Sequence, residues 1–366
     1  MVNAKRQFLG IGCNYPDSSS PLYGCVKDLI NNELFYVPYC GIPSENVYIF
    51  RDDDYTNPEY KLPTRKNVIN AFETLSKNST SDTLTIIFYS GHGLQIPQPS
   101  RVTPNKSESD NTDEAIVLSN GEGEFQYMQD DELCTLVNEI KGDVVCFFDC
   151  CNSGTMLDLP NKWTINKKGK FIYTNENNGS KIKNNNIVCL SAARDPEVTL
   201  DIFSPDYDAR VGLFTSYALN YNLTQGNKAS ISIMDLASNI QSQFDNFSET
   251  IFPLPNRMVV SSSSSSSSME ILQNFKYPRG MVTEIIEVIT PPVPVPVPEP
   301  DPVPEPDPAP APPARKEEEQ NKPITSKPIA ISVKESSENN CNTKNINNNE
   351  TWYDRKRRLN KKNKFN

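Results

Sequence analysis

Three segments of this chain, "SDTLTIIFYSG" (81–91), "GDVVCFFDCC" (142–151) and "NNNIVCLSAA" (184–193), are apolar at odd and even positions alike. Side chains of a strand alternate between its two faces, so such runs are stable only where both faces are covered. Amphipathic stretches lie between them. In "PLYGCVKDLINNELFYVPYC", Leu22, Cys25, Val26, Leu29, Ile30 and Leu34 recur at helical spacing. Thr64 offers an N-cap to "RKNVINAFETLSKN", with Val68, Ile69, Phe72 and Leu75 as its stripe. "DDELCTLVNEI" places Leu133, Leu136, Val137 and Ile140 on one side. With "RQFLGIGCNY" and "NVYIFRDD" as further strands, the pattern predicts an α/β fold in three layers, a mostly parallel central sheet with helices on both faces. Strand order is not fixed by the pattern.

Two more helices are expected in "GLFTSYALNYNL" and "SIMDLASNIQSQF", and the segment "MEILQNF" is expected to close the sheet. The serine run Ser261 to Ser268 just before it reads as a solvated loop. Thirteen of the thirty prolines fall between Pro291 and Pro313, a density that excludes ladder or helix and predicts an extended polyproline spacer. Beyond it the chain is polar and ends in the basic cluster "DRKRRLNKKNKF". The expected organisation is a folded domain over 1–288 and a disordered Pro-rich and basic tail over 289–366. Within the domain, 1–160 and 187–288 flank a polar, lysine-rich insertion at 161–186.

A net charge of −10 argues against a dedicated nucleic-acid binder. No apolar run approaches the roughly 18 residues that a membrane-spanning helix needs. Nine cysteines, an odd number without CxxC spacing, fit a reduced intracellular protein better than a disulfide scaffold. A cytoplasmic location is therefore expected. The basic end reads either as a nuclear-targeting or anionic-surface segment or as a solubilising tail.

Functional groups of parallel sheets collect past the carboxyl ends of strands. Here His92, the single histidine, follows "TIIFYS", and Cys151 follows "VVCFFD". On neighbouring strands they would share one crevice. A thiol with an ordinary pKa near 8.5 needs only a nearby base to become a nucleophile. The turn "NSG" after Cys151 can aim backbone N–H groups at an oxyanion. Either residue alone is more commonly structural; the joint placement gives the pair its weight.

"FYSGHG" and "DCCNSG" resemble the His and Cys motifs of the metacaspases, caspase-like cysteine peptidases with "YSGHG" and "DCCHSG" or "DSCHSG". "FLGIGCNY", "LYGCVKD", "DEAIVLSN", "MQDDEL", "SAARD" and "GLFTSYAL" extend the likeness over about residues 5–275. The resemblance implies a caspase-like fold and a monomer. It implies Cys151 as nucleophile, His92 as acid/base, and the N–H groups of Gly93 and Cys151 as the oxyanion hole. Asp28 and Asp149, lined by Ser90 and Cys25, would form an acidic pocket for a substrate Arg or Lys at P1. Asp113, Asp130, Asp131 and Asp158 fall where the family gathers carboxylates for Ca²⁺, the hard cation suited to oxygen ligands. Asp130 and Asp131 also suit a helix N-terminus, and both roles are compatible.

Asn152 stands where the family usually has histidine, and "SAARDPEVTLD" departs from the common "SGCKDDQTSAD". An N-terminal prodomain of the kind many members carry is expected to be absent. Lys167, Lys168 and Lys170 are candidates for self-processing; the segment around them equally reads as a tolerated surface insertion. The leading reading is thus a calcium-stimulated cysteine endopeptidase acting after Arg or Lys. The alternative is a weakly active or inactive caspase-like scaffold whose Pro-rich tail recruits SH3- or WW-type partners. No organic cofactor is implied.

Overall fold

The computed structural model describes residues 5–53, 61–97, 112–166, 168–175, 182, 186–195, 197–204, 209–225, 231–250, 257–264 and 270–271. All belong to the unit Met1–Pro292; the Pro-rich and basic tail and Lys167 lie outside the described residues. In chain order the first half runs β1 (Arg6–Gly12), α1 (Cys25–Tyr39), β2 (Val47–Arg51), α2 (Arg65–Asn78), β3 (Leu84–Ser90), β4 (Gly93–Pro97), β5 (Thr112–Ser119), β6 (Phe125–Gln129), α3 (Asp130–Asn138) and β7 (Asp143–Asp149). The second half runs β8 (Asn161–Ile165), β9 (Phe171–Asn175), β10 (Ile187–Ser191), β11 (Asp201–Ser204), β12 (Ala209–Gly212), α4 (Leu213–Gln225), β13 (Ile231–Ser232), α5 (Ile233–Thr250), β14 (Val259–Ser262) and β15 (Glu270–Ile271).

Eight strands form the central sheet in the order β2-β1-β3-β7-β10-β14-β8-β9. The pairings from β2 through β10 are parallel, and those of β14, β8 and β9 antiparallel. The doubly apolar strands sit in the middle and divide their side chains between two cores. Phe8, Ile86, Phe88, Phe147 and Leu190 join the core that contains residues of α1, α4 and α5. Their neighbours Leu9, Ile87, Tyr89, Cys146 and Cys189 join the one containing residues of α2 and α3. That partition is the three-layer arrangement the apolar runs demand. The Thr64 hydroxyl caps α2 by accepting the Asn67 N–H at 3.2 Å, and the buried face of that helix is Val68, Ala71, Phe72 and Leu75. Ile69, expected in the stripe, is only partly buried.

Three expectations differ from the fold. The polar stretch read as an insertion over 161–186 contains the β8–β9 hairpin, which extends the sheet and buries Trp163 and Ile165. The serine run is not wholly a solvated loop. Ser261 and Ser262 complete β14, buried between β10 and β8, and the Ser262 hydroxyl donates to the Ile187 carbonyl at 3.0 Å. That hydrogen bond offsets the cost of burying a hydroxyl. β14 is therefore a sheet strand built from "VVSS", whereas Glu270–Ile271 of "MEILQNF" pair only with β13. The remaining addition is a three-stranded sheet, β4-β5-β6, that packs behind His92 and was not anticipated as strands. Among the described residues no helix is long and apolar enough to cross a membrane.

Candidate active site

β3 and β7 are parallel neighbours, with Ser90 opposite Asp149 at their carboxyl ends. His92 and Cys151 each lie two residues further on, so the register itself brings imidazole and thiol to the same edge. The two backbones touch there: a Cβ built on Gly93 would lie 2.0 Å from the Cys151 carbonyl oxygen and 3.1 Å from Cys150 Sγ. Cys150 is fully buried, and that burial pushes its thiol well above the ordinary range. Cys151 is only partly buried and accepts the Thr199 N–H on Sγ at 3.4 Å. Burial raises its thiol, Asp149 adds to that, and the Thr199 N–H opposes both. Asn152 has φ +50°, a left-handed conformation that Asn adopts more readily than most side chains, and its N–H donates to the Glu197 carbonyl at 3.0 Å.

The histidine is held from several sides. Nε2 lies 2.8 Å from the Ser20 carbonyl oxygen. A carbonyl can only accept, so Nε2 carries the proton of the neutral ring and Nδ1 is left to exchange one. The ring stacks on Tyr15, centroids 4.8 Å apart, and meets the edge of Phe125. The Tyr15 hydroxyl accepts the His92 N–H at 2.9 Å and donates to the Val117 carbonyl at 2.6 Å. Tyr15 itself is left-handed (φ +51°), fixed by Asp52, which accepts from the N–H groups of Asn14 and Tyr15. Sequence reasoning did not single out Tyr15 or Asp52.

Beside the thiol, Asp28 and Asp149 converge on Gly212, whose missing Cβ would fall 2.1 Å from Asp149 Oδ2 and 2.8 Å from Asp28 Oδ2. Asp28 accepts from the Ser90 hydroxyl (3.0 Å) and from the Gly212 N–H (2.9 Å). Asp149 accepts from the N–H and hydroxyl of Thr215 (3.0 and 2.7 Å) and the hydroxyl of Thr199 (3.3 Å). Burial lifts Asp149 to about 6 against those hydrogen bonds. Burial, then the charge of Asp149, lifts Asp28 well above the carboxylate range. Cys25 and Ser90, both buried, sit against this pair. A third acid went unnoticed in the sequence. Asp201 accepts the N–H groups of Tyr23 and Gly24 at the start of α1, and its Oδ1 is buried without a hydrogen bond among the described residues, 4.0 Å from the Arg210 guanidinium. It lay inside the noticed segment "SAARDPEVTLD", but nothing local distinguishes it from a turn acid.

Residues 5–160 match the family model of the metacaspase, peptidase C14 domain. That match covers less than half of the chain. The chain is 33% identical over 158 residues to Metacaspase-1 of Cryptococcus neoformans (43% of this chain, 33% of that protein). It is 32% identical over 167 residues to Metacaspase-1 of Saccharomyces cerevisiae (45% and 37%), and 33% over 159 residues to Metacaspase-7 of Arabidopsis thaliana (42% and 36%). The matched stretch thus spans about a third of the length of these relatives. A crystal structure of a Geobacter sulfurreducens protein shares the fold, with a TM-score of 0.50 and 18% identity, covering 74% of this chain and 100% of that one.

The acids of the matched region read as calcium ligands each make their own local contacts. Asp113 accepts from Gln129 at 2.8 Å. Asp130, fully buried at the start of α3, accepts the N–H groups of Glu114 and Asp131. Asp158 is buried, left-handed (φ +45°), and its Oδ2 has no hydrogen-bond partner among the described residues. Burial, then the charge of Asp131, raises it to about 7; Glu114 and Asp113 push the same way and Lys162 opposes them. Among the described residues no three His, Cys, Asp or Glu side chains are grouped closely enough to hold an ion. Lys168 and Lys170 lie in the β8–β9 turn, where their N–H groups both donate to the Asn166 side chain. Cutting there requires that closed turn to open.

Because the contacts at Gly93 involve the strand end that carries Cys151, Gly93→Ala is expected to displace it. An ångström of misplacement costs about 100-fold in catalysis. Peptide hydrolysis should fall by roughly that factor or more, measured as kcat alongside a thermal melt. Wild-type activity in Gly93→Ala would show that the close approach is irrelevant.

Proposed function

We propose that this chain is a metacaspase-type cysteine endopeptidase that cleaves after Arg or Lys. The observation that carries the reading is the parallel register of β3 and β7, which delivers His92 and Cys151 to one notch with two buried carboxylates beside it. Cys151 gives its proton to His92 Nδ1, and the sulfur attacks the scissile carbonyl carbon. The N–H groups of Gly93 and Cys151 receive the oxyanion. As the C–N bond breaks, the imidazolium protonates the departing amine, leaving an acyl-thioester that water hydrolyses with His92 as base. A thiol raised by burial needs such a base. Two buried acids at one point of the notch favour a guanidinium or ammonium at P1 over a neutral or acidic side chain.

Calcium stimulation forms part of the proposal. The orphan oxygen of Asp158 and its repulsion by Asp131, Glu114 and Asp113 suit oxygen coordination of a hard cation, with Asp130 positioned by its backbone bonds. The ion would supply neutralising charge, drawing together carboxylates that otherwise repel. The test is hydrolysis of fluorogenic peptides differing only in P1 Arg, Lys or Asp, with Ca²⁺ or with a chelator. Arg and Lys peptides should be cut at least about 100-fold faster than Asp, and faster with Ca²⁺. Absence of Arg and Lys cleavage in Ca²⁺ would refute the peptidase reading; equal rates with chelator would remove the calcium clause alone.

A further inference from the structure

The loop after β10 is stitched to the turn that carries the nucleophile. Ser153 and Ala193 exchange hydrogen bonds, the Thr155 N–H donates to Asp195 Oδ1 at 2.9 Å, and the Asn152 N–H donates to the Glu197 carbonyl at 3.0 Å. Glu197 is itself buried. Its carboxylate accepts the N–H groups of Arg194 and Arg257, at 3.0 and 2.8 Å, and pairs with the Arg194 guanidinium, so this loop has little freedom. Its last contact is made by Thr199, which faces two functional groups at once. The main-chain N–H of Thr199 donates to Cys151 Sγ at 3.4 Å while its hydroxyl donates to Asp149 Oδ1 at 3.3 Å.

We propose that Thr199 is a positioning residue for the nucleophile: its hydroxyl, anchored on the pocket acid Asp149, holds its own N–H against the Cys151 sulfur, where that N–H stabilises the thiolate. The inference rests on Cys151 being the nucleophile of the peptidase proposed above. An N–H aimed at sulfur favours the charged form, and a hydrogen bond to a charged group is stronger than one to a neutral group. Among the described residues, the charged and titratable groups around the sulfur are the adjacent thiol of Cys150, Asp149 on its own strand and His92 beyond β3, with Asp28 and Asp201 behind Asp149. Burial and Asp149 act against ionisation, and the Thr199 N–H acts for it. One residue thereby ties the readiness of the thiol to the acid that receives P1.

The experiment is alkylation of the full chain by iodoacetamide from about pH 5 to pH 9, which spans the ordinary thiol range, with Cys151 labelling followed by peptide mass spectrometry. Kinetics with an Arg peptide run in parallel. Thr199→Val keeps the branched shape and the N–H but loses the hydroxyl, Thr199→Ala is a second hydroxyl-less variant, and Thr199→Ser restores the donor. Val and Ala should label about 3- to 10-fold more slowly at neutral pH, with the midpoint shifted to higher pH. Their kcat should fall in step while KM stays within about 2-fold, and Ser should behave as wild type within the same margin. Wild-type labelling profiles in Val and Ala, or a Ser variant as slow as they are, would overturn the role of Thr199. Alkylation needs no substrate, so a wild type inert toward Arg and Lys peptides defeats the peptidase reading while the labelling comparison still decides this one.

Discussion

Cys151→Ala is expected to abolish hydrolysis of an Arg peptide, by on the order of 10⁴-fold or more in kcat, whereas Cys150→Ala should retain activity within a few-fold. The two thiols are adjacent in sequence and opposite in environment. Cys150 is fully buried in the core that includes α2 and α3, where burial, with Cys151 and Asp149 adding to it, keeps its thiol protonated. Its loss removes one small apolar group, at a cost of about 1 kcal/mol visible in a melt. Cys151 is partly exposed at the edge it shares with His92, with a backbone donor already on its sulfur. His92→Ala should be nearly as damaging as Cys151→Ala, because in the proposed mechanism Nδ1 carries the proton in both half-reactions. Members of a catalytic unit are strongly non-additive, so the double variant should be no worse than either single one. Activity surviving in Cys151→Ala but lost in Cys150→Ala would reassign the nucleophile to the buried thiol.

What was legible in the sequence has one physical origin, local patterning. Apolar residues at both parities of 84–90, 144–148 and 187–190 announce strands covered on both faces, and those strands form the centre of the sheet. His92 and Cys151 stand out because they directly follow such strands. The misread segments are those whose burial depends on partners far along the chain. "NKWTI" and "FIYTN" sit in polar company, and only pairing of β8 with β14 turns Trp163 and Ile165 inward. Ser261 and Ser262 carry no apolar signal, yet they are buried because β14 is flanked by strands on both sides. The same holds at the candidate site. Asp28 and Asp149 were chosen from motifs, but Thr199, Thr215 and Asp201 act through contacts about 50 to 180 residues away in sequence. A linear pattern has no means of displaying such contacts.

Asp28→Asn should lower kcat/KM for an Arg peptide by about 30- to 5000-fold, since truncating one side of a buried charged contact typically costs about 2–5 kcal/mol, while leaving the fold at least as stable. Two carboxylates pressed against Gly212 repel each other and are desolvated. They are useful to a cationic substrate and costly to the empty enzyme. Replacing one by Asn removes the repulsion and keeps an oxygen to accept from Gly212 or Ser90. Activity and thermal midpoint should therefore move in opposite directions, which a general folding defect cannot mimic. The pH dependence follows with a definite sign. Asp149 is raised to about 6 in the folded protein against about 3.9 unfolded, so between those values the folded state binds the extra proton. Stability is full below the unfolded value and declines as pH rises through about 6. The wild type should melt higher near pH 5 than above pH 7, and Asp28→Asn should narrow that difference. Substrate binding runs the other way, because only an ionised pocket attracts a guanidinium: KM for Arg peptides should rise as pH falls through about 6. A KM flat across that range, or an Asp28→Asn variant that keeps full activity, would place the P1 side chain somewhere other than these two acids.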